Sequence, residues 1–167
     1  FFNTEGPVNC ADHYCLPPLS WLDMEDVLAL IAQKKYFLLH APRQTGKTTC
    51  LLALADYLNA RGKYHAVYAN IEAAQAARED VAQGMATTVT YIANFAAERT
   101  DDPYAIPIMQ DVLANSAPGA QLGVFLSRWC GRLDKPLVLL LDEVDALVGD
   151  TLISLLRQLR AGYPNRP

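Results

Sequence analysis

The chain of 167 residues carries 14 Lys and Arg against 18 Asp and Glu, a net charge of -4, and 51% of its residues are hydrophobic. This is the balance of one globular domain with a sizeable core, and it gives no basic footprint for holding nucleic acid without sequence preference. No apolar run approaches the roughly 18 to 20 residues of a membrane span. The start, Phe1-Phe2-Asn3-Thr4, lacks the basic-then-apolar order of a secretory signal. A cytoplasmic protein without a membrane partner is therefore expected. The chain opens without Met and stops at Asn165-Arg166-Pro167, so both ends are expected to be cut.

The four cysteines, at 10, 15, 50 and 130, are too scattered for the disulfide scaffold of a small secreted domain. Cys10, His13 and Cys15 raise the question of zinc. A structural site needs four ligands, and the next candidates, His40 and His65, fall in or beside expected strands. Cys50 and Cys130 stand among apolar neighbours and read as small core residues.

In chain order, residues 1–20, with Pro7, Pro17 and Pro18, read as an extended lead-in along the domain surface. Asp23 then caps a helix in which Met24, Val27, Leu28 and Ile31 share one face, with Lys34 and Lys35 at its end. Residues 35–40 form a short apolar run, expected to be a buried strand of a parallel sheet, and Pro42 breaks it. From Lys47, Leu51, Leu54, Ala55 and Leu58 line one face of a helix that stops at Arg61-Gly62.

A second strand is expected over His65 to Ile71. An alanine-rich helical stretch follows over 73–99, with Val81, Met85, Ile92 and Phe95 as its buried edge and a bend or break at Gly84. Residues 101–107 read as a loop, and two shorter helices are expected over 108–115 and 119–133. Leu137 to Leu141 is the most apolar run and reads as a strand buried on both faces. Asp150 is expected to cap a last helix with Leu152, Leu155, Leu156 and Leu159 on one face, ending at Gly162. Strands alternating with helices in this way imply βαβ units and an α/β fold with a mainly parallel sheet.

Residues 41–48, Ala41-Pro42-Arg43-Gln44-Thr45-Gly46-Lys47-Thr48, match the phosphate-binding pattern G-x-x-x-x-G-K-[ST] except at the first glycine, here Ala41. A loop between strand and helix can turn successive N–H groups inward around an anion, and the helix N-terminus adds its positive end. Lys47 would reach the outer phosphates, and the Thr48 hydroxyl, followed by Thr49, would ligate Mg2+. Downstream, Asp142 and Glu143 close the apolar strand and would show both carboxylates at the sheet edge where open α/β sheets take their ligands. Asp142 is the expected metal ligand, through water, and Glu143 the group that orients or deprotonates an attacking water.

Together, APRQTGKTT and LVLLLDEVDALVG resemble the Walker A (41–48) and Walker B (137–143) signatures of P-loop ATPases of the additional-strand, catalytic-glutamate division. Within that division the chain is most similar to AAA-like ATPases bordering the STAND group. The resemblance implies a three-layer P-loop sandwich over 21–167, truncated before its sensor strand, with ATP and Mg2+ as cofactors. It implies hydrolysis driving a conformational or assembly switch in a larger protein, with ATP or ADP, self-association or flanking domains as partners. The alternative is a nucleotide-gated interaction module with negligible turnover.

On the same grounds His13, Tyr14 and Leu16 would pack on the adenine, unless the lead-in only covers the core. Asn70 would stand opposite the catalytic glutamate or merely end its strand. Arg43 and Gln44 face the ligand or solvent, and Arg157 and Arg160 read as the wet face of the last helix rather than arginine fingers. Transfer to a small acceptor is disfavoured because residues 101–107 lack the basic residues of a lid.

Overall fold

The computed structural model describes residues 17–42 and 44–163. Among these residues six α-helices pack with a two-stranded parallel sheet, so the α/β class holds. Strand β1 (His65–Asn70) pairs in register with β2 (Leu137–Asp142), from His65 opposite Leu137 to Asn70 opposite Asp142. Because side chains alternate across a strand, Val67, Ala69, Leu137, Leu139 and Leu141 face one way, and Ala66, Tyr68, Val138 and Leu140 the other. Helices cover both faces.

Helix α1 (Met24–Ala32) starts as expected, with the Asp26 N–H donating to Asp23 Oδ1 at 3.1 Å. Helix α2 (Lys47–Ala60) buries Leu51, Leu54, Ala55 and Leu58 against the Tyr68 side of the sheet. Each large apolar side chain so removed from water contributes about 1.5 to 3 kcal/mol, which fixes the first turn of α2 relative to β1 and β2. The opposite face holds the larger core, built with α3 (Val81–Thr100), α4 (Ala105–Asn115), α5 (Gln121–Cys130) and α6 (Gly149–Gly162).

Several expectations change. Residues 35–40 form no strand. Tyr36 is 54% and Leu38 85% exposed, and among the described residues the sheet gives this segment no ladder partner. An apolar run becomes a strand only when its backbone groups are paired. The Tyr36 hydroxyl instead donates to the Leu159 carbonyl at 2.8 Å. For the same reason β2 is less enclosed than its composition suggests: of its residues only Leu140 and Asp142 are buried.

The 73–99 stretch is not broken at Gly84. It splits earlier, into a 3-10 turn over Glu72–Ala77 and then α3, with Arg78 in the left-handed region (φ 48°) and Asp80 accepting from the Gln83 N–H. Gly84 lies inside α3, where a Cβ would collide with Thr151 of α6. Helix α4 begins at Ala105 rather than 108, because Asp102 captures the first N–H groups and Pro107 stands in the first turn, where no intrahelical donor is needed. The expected 119–133 helix is a 3-10 turn over Pro118–Ala120 followed by α5. Asp150 does not cap α6. Its own N–H donates to Glu79 Oε2 at 3.0 Å, and Leu156 of the expected apolar face is 52% exposed.

Cys50 is fully buried and Cys130 half-buried, both free thiols, and burial pushes Cys50 up to about 11. The lead-in readings at Cys10, His13, Tyr14, Cys15 and Leu16, the zinc question among them, lie outside the described residues, as does Arg43. No helix among the described residues is long and apolar enough to cross a membrane.

Candidate functional site

Gly46 is the hinge between loop and helix. It caps α2 at φ 83°, ψ 21°, and a Cβ there would meet nothing within 4 Å. The backbone angle, not space, is what calls for glycine. Behind it, Gln44 also takes a left-handed angle (φ 61°), and the Thr45 hydroxyl donates to the Pro42 carbonyl at 2.7 Å, closing the turn. Ala41 is half-buried, and Pro42, Gln44 and Thr45 are exposed. The first turn of α2 carries no acidic residue and no side-chain cap of its own, so negative charge for its positive end must come from elsewhere in the chain or from a ligand.

Strand parity brings the rest together. Tyr68 and Asp142 point to the α2 side, and the first turn of α2 lands on the end of β2. The Thr48 hydroxyl donates to Asp142 Oδ2 at 2.7 Å. Lys47 Nζ stands 3.5 Å from Asp142 Oδ1 and 3.7 Å from Glu143 Oε1. The Glu143 N–H donates to Asp142 Oδ1 at 3.0 Å. Glu143 itself is left-handed (φ 60°, ψ 33°), a conformation that costs a non-glycine residue about 1 to 2 kcal/mol. It ends the strand abruptly and leaves both carboxylates beside one amine.

Asp142 is 1% exposed, so its carboxylate oxygens need these donors. A further donor lay outside the sequence reading: the Tyr68 hydroxyl, 3.2 Å from Asp142 Oδ2. Burial, then the negative charge of Asp142 and their hydrogen bond, push Tyr68 up to about 12, while Asn70 and Arg99 pull the other way. The phenol therefore keeps its proton near neutrality. Its sequence signal is parity, two residues before Asn70 on the same face, readable only once β1 and β2 are paired.

Asn70 ends its strand: its Oδ1 accepts the Glu72 N–H at 2.8 Å. Thr49 is half-buried one residue before the core residue Cys50, and Arg157 and Arg160 are exposed on α6. Among the described residues no three His, Cys, Asp or Glu side chains gather as a metal cage. The donor set present is hard oxygen: a Thr48 hydroxyl that gives its proton to Asp142 and keeps its lone pairs, and the Asp142 carboxylate. That set fits Mg2+, which takes one or two protein oxygens and fills its shell with phosphate and water.

Two clefts open elsewhere, about 530 Å3 beside Asp150, Ile153 and Arg157, and about 370 Å3 beside His65, Thr100 and Arg132. Neither is lined by a residue of the α2 site. No protein-family model, curated protein or solved structure matches the chain.

Proposed function

We propose that the chain is a magnesium-dependent ATP-binding and ATP-hydrolysing module of the P-loop kind, a switch within a larger cytoplasmic protein, with ATP and ADP as its ligands. The carrying observation is the 2.7 Å hydrogen bond from Thr48 to the buried Asp142, with Lys47 beside it. It joins the loop helix to the strand end, the two places a triphosphate and its cation must share.

Lys47 is paired with Asp142 and Glu143. Phosphate arriving at the α2 N-terminus offers the amine a more concentrated negative charge, and Lys47 turns from the acids to the outer phosphates. That movement would free Glu143 to accept a proton from water as the water oxygen bonds to the terminal phosphorus and the bond to the bridging oxygen breaks, releasing ADP and phosphate. Thr48 and Asp142 would hold the divalent cation, which would supply positive charge against the phosphates. Helices on both faces of the parallel pair β1 and β2 support the layered α/β arrangement of such ATPases.

A switch with negligible turnover is the second reading, favoured by the engagement of Glu143 with Lys47. Mg·ATP at about 100 times its dissociation constant should stabilise the domain by about 2.7 kcal/mol, raising Tm by about 5 to 10 °C. Lys47→Ala should abolish the rise in differential scanning fluorimetry; an unchanged rise sinks the proposal. Glu143→Gln should keep the rise and lose phosphate release, whereas in a non-hydrolysing switch the two proteins would release phosphate equally slowly.

A further inference from the structure

Tyr68 is buried (5% exposed), and a buried hydroxyl costs free energy unless it is bonded. Phenylalanine would fill the same space at no such cost. The phenol instead donates to Asp142 Oδ2, the oxygen that also accepts from Thr48. The ring is fixed from α3: Phe95 meets it edge-on at 5.6 Å and 85°, and the Arg99 guanidinium lies 5.7 Å from its centroid. A rigid donor from β1 and a donor from the loop helix thus share one carboxylate oxygen, leaving Oδ1 towards Lys47 and the Glu143 N–H.

We propose that Tyr68 is a positioning residue for the divalent cation: its hydroxyl locks the rotation of the Asp142 carboxylate, so that Thr48 and Oδ1 present their lone pairs to the cation and its water. This rests on the magnesium-nucleotide reading. Lys47 is the donor a phosphate can draw away, whereas Tyr68 is buried and fixed on its strand. Without the phenol the Asp142 carboxylate is less firmly held, and cation affinity falls, as it does by about 10 to 100-fold when outer-shell partners of metal ligands are removed.

The test is a Mg2+ titration at fixed fluorescent ATP analogue, comparing the wild-type chain with Tyr68→Phe. The half-saturating Mg2+ concentration should rise about tenfold or more, while nucleotide affinity in excess chelator stays unchanged. Equal half-saturation in the two proteins overturns the role of Tyr68 and leaves nucleotide binding intact. A wild-type chain whose binding ignores Mg2+ and survives Lys47→Ala overturns the underlying reading, and this role with it.

Should Tyr68→Phe melt before the titration, meta-fluorotyrosine at position 68, which keeps the hydroxyl, decides the matter. Its fluorine resonance should move on adding Mg·ATP and not on adding ATP with chelator. A resonance indifferent to Mg2+ overturns the proposal.

Discussion

Two buried aspartates stand at opposite ends of the sheet, and they are satisfied in opposite ways. Asp102, packed beside the start of β1, is 6% exposed. Its Oδ1 accepts from the Tyr104 and Ala105 N–H groups at 2.7 and 2.9 Å, and its Oδ2 from Trp129 Nε1 at 2.8 Å, with His65 Nε2 at 3.1 Å. These donors are main chain, a fully buried indole and a strand residue, and none can leave without unfolding something. Asp142, at the end of β2, is held by Thr48, Lys47, Tyr68 and one N–H. Lys47 is a long, partly exposed side chain that a better anion can recruit. Both carboxylates are buried and held by several donors; what differs between them is whether a donor can be exchanged.

The sharpest way to break this contrast is Asp102→Ala. It strands the Trp129 indole N–H and the first donors of α4 in the core, and should cost about 3 to 5 kcal/mol in urea unfolding, at about 1 to 3 kcal/mol for each buried group left unpaired. A loss below that of Asp142→Ala would end the distinction.

Alkaline pH tests the Tyr68 side. Cys50 and Tyr68 are raised from 9.0 and 10.0 to about 11 and about 12 in the fold. Each is an acid that the folded chain keeps protonated while the unfolded chain has released its proton. Stability is therefore full below the unfolded values and falls as pH rises, by about 1.4 kcal/mol per pH unit per group. Cys50→Ala should remove the part of the fall between about 9 and 11, and Tyr68→Phe the part between about 10 and 12, in pH-dependent urea unfolding. Asp142→Ala should have the smallest effect on the unliganded fold, about 1 to 2 kcal/mol because water reaches Lys47 and Thr48, while removing the Mg2+ dependence of nucleotide binding. Mg2+ dependence equal to wild type would sever Asp142 from the cation.

What was legible in the chain follows the range of the interactions. Helix α2 and the Asp142–Glu143 ending could be read because i, i+3, i+4 spacing and an apolar run ending in acids are local patterns. The run over 35–40 misled because being a strand depends on a neighbour, and apolarity does not supply one. Helix α4 began early because Asp102 recruits its donors, which a loop reading of 101–107 hides. Tyr68 stayed invisible because its partner lies 74 positions away and is found only by pairing β1 with β2.

The close crossing at Gly84 ties the distant parts of the molecule together. Thr151 fills the space a side chain would need there, so α3 and α6 meet with no slack between backbone and methyl group. Helix α3 also carries Phe95 and Arg99, which brace the Tyr68 ring. A side chain at position 84 would have to push α6 away, and the strain would fall on the same helix that holds the Tyr68 ring.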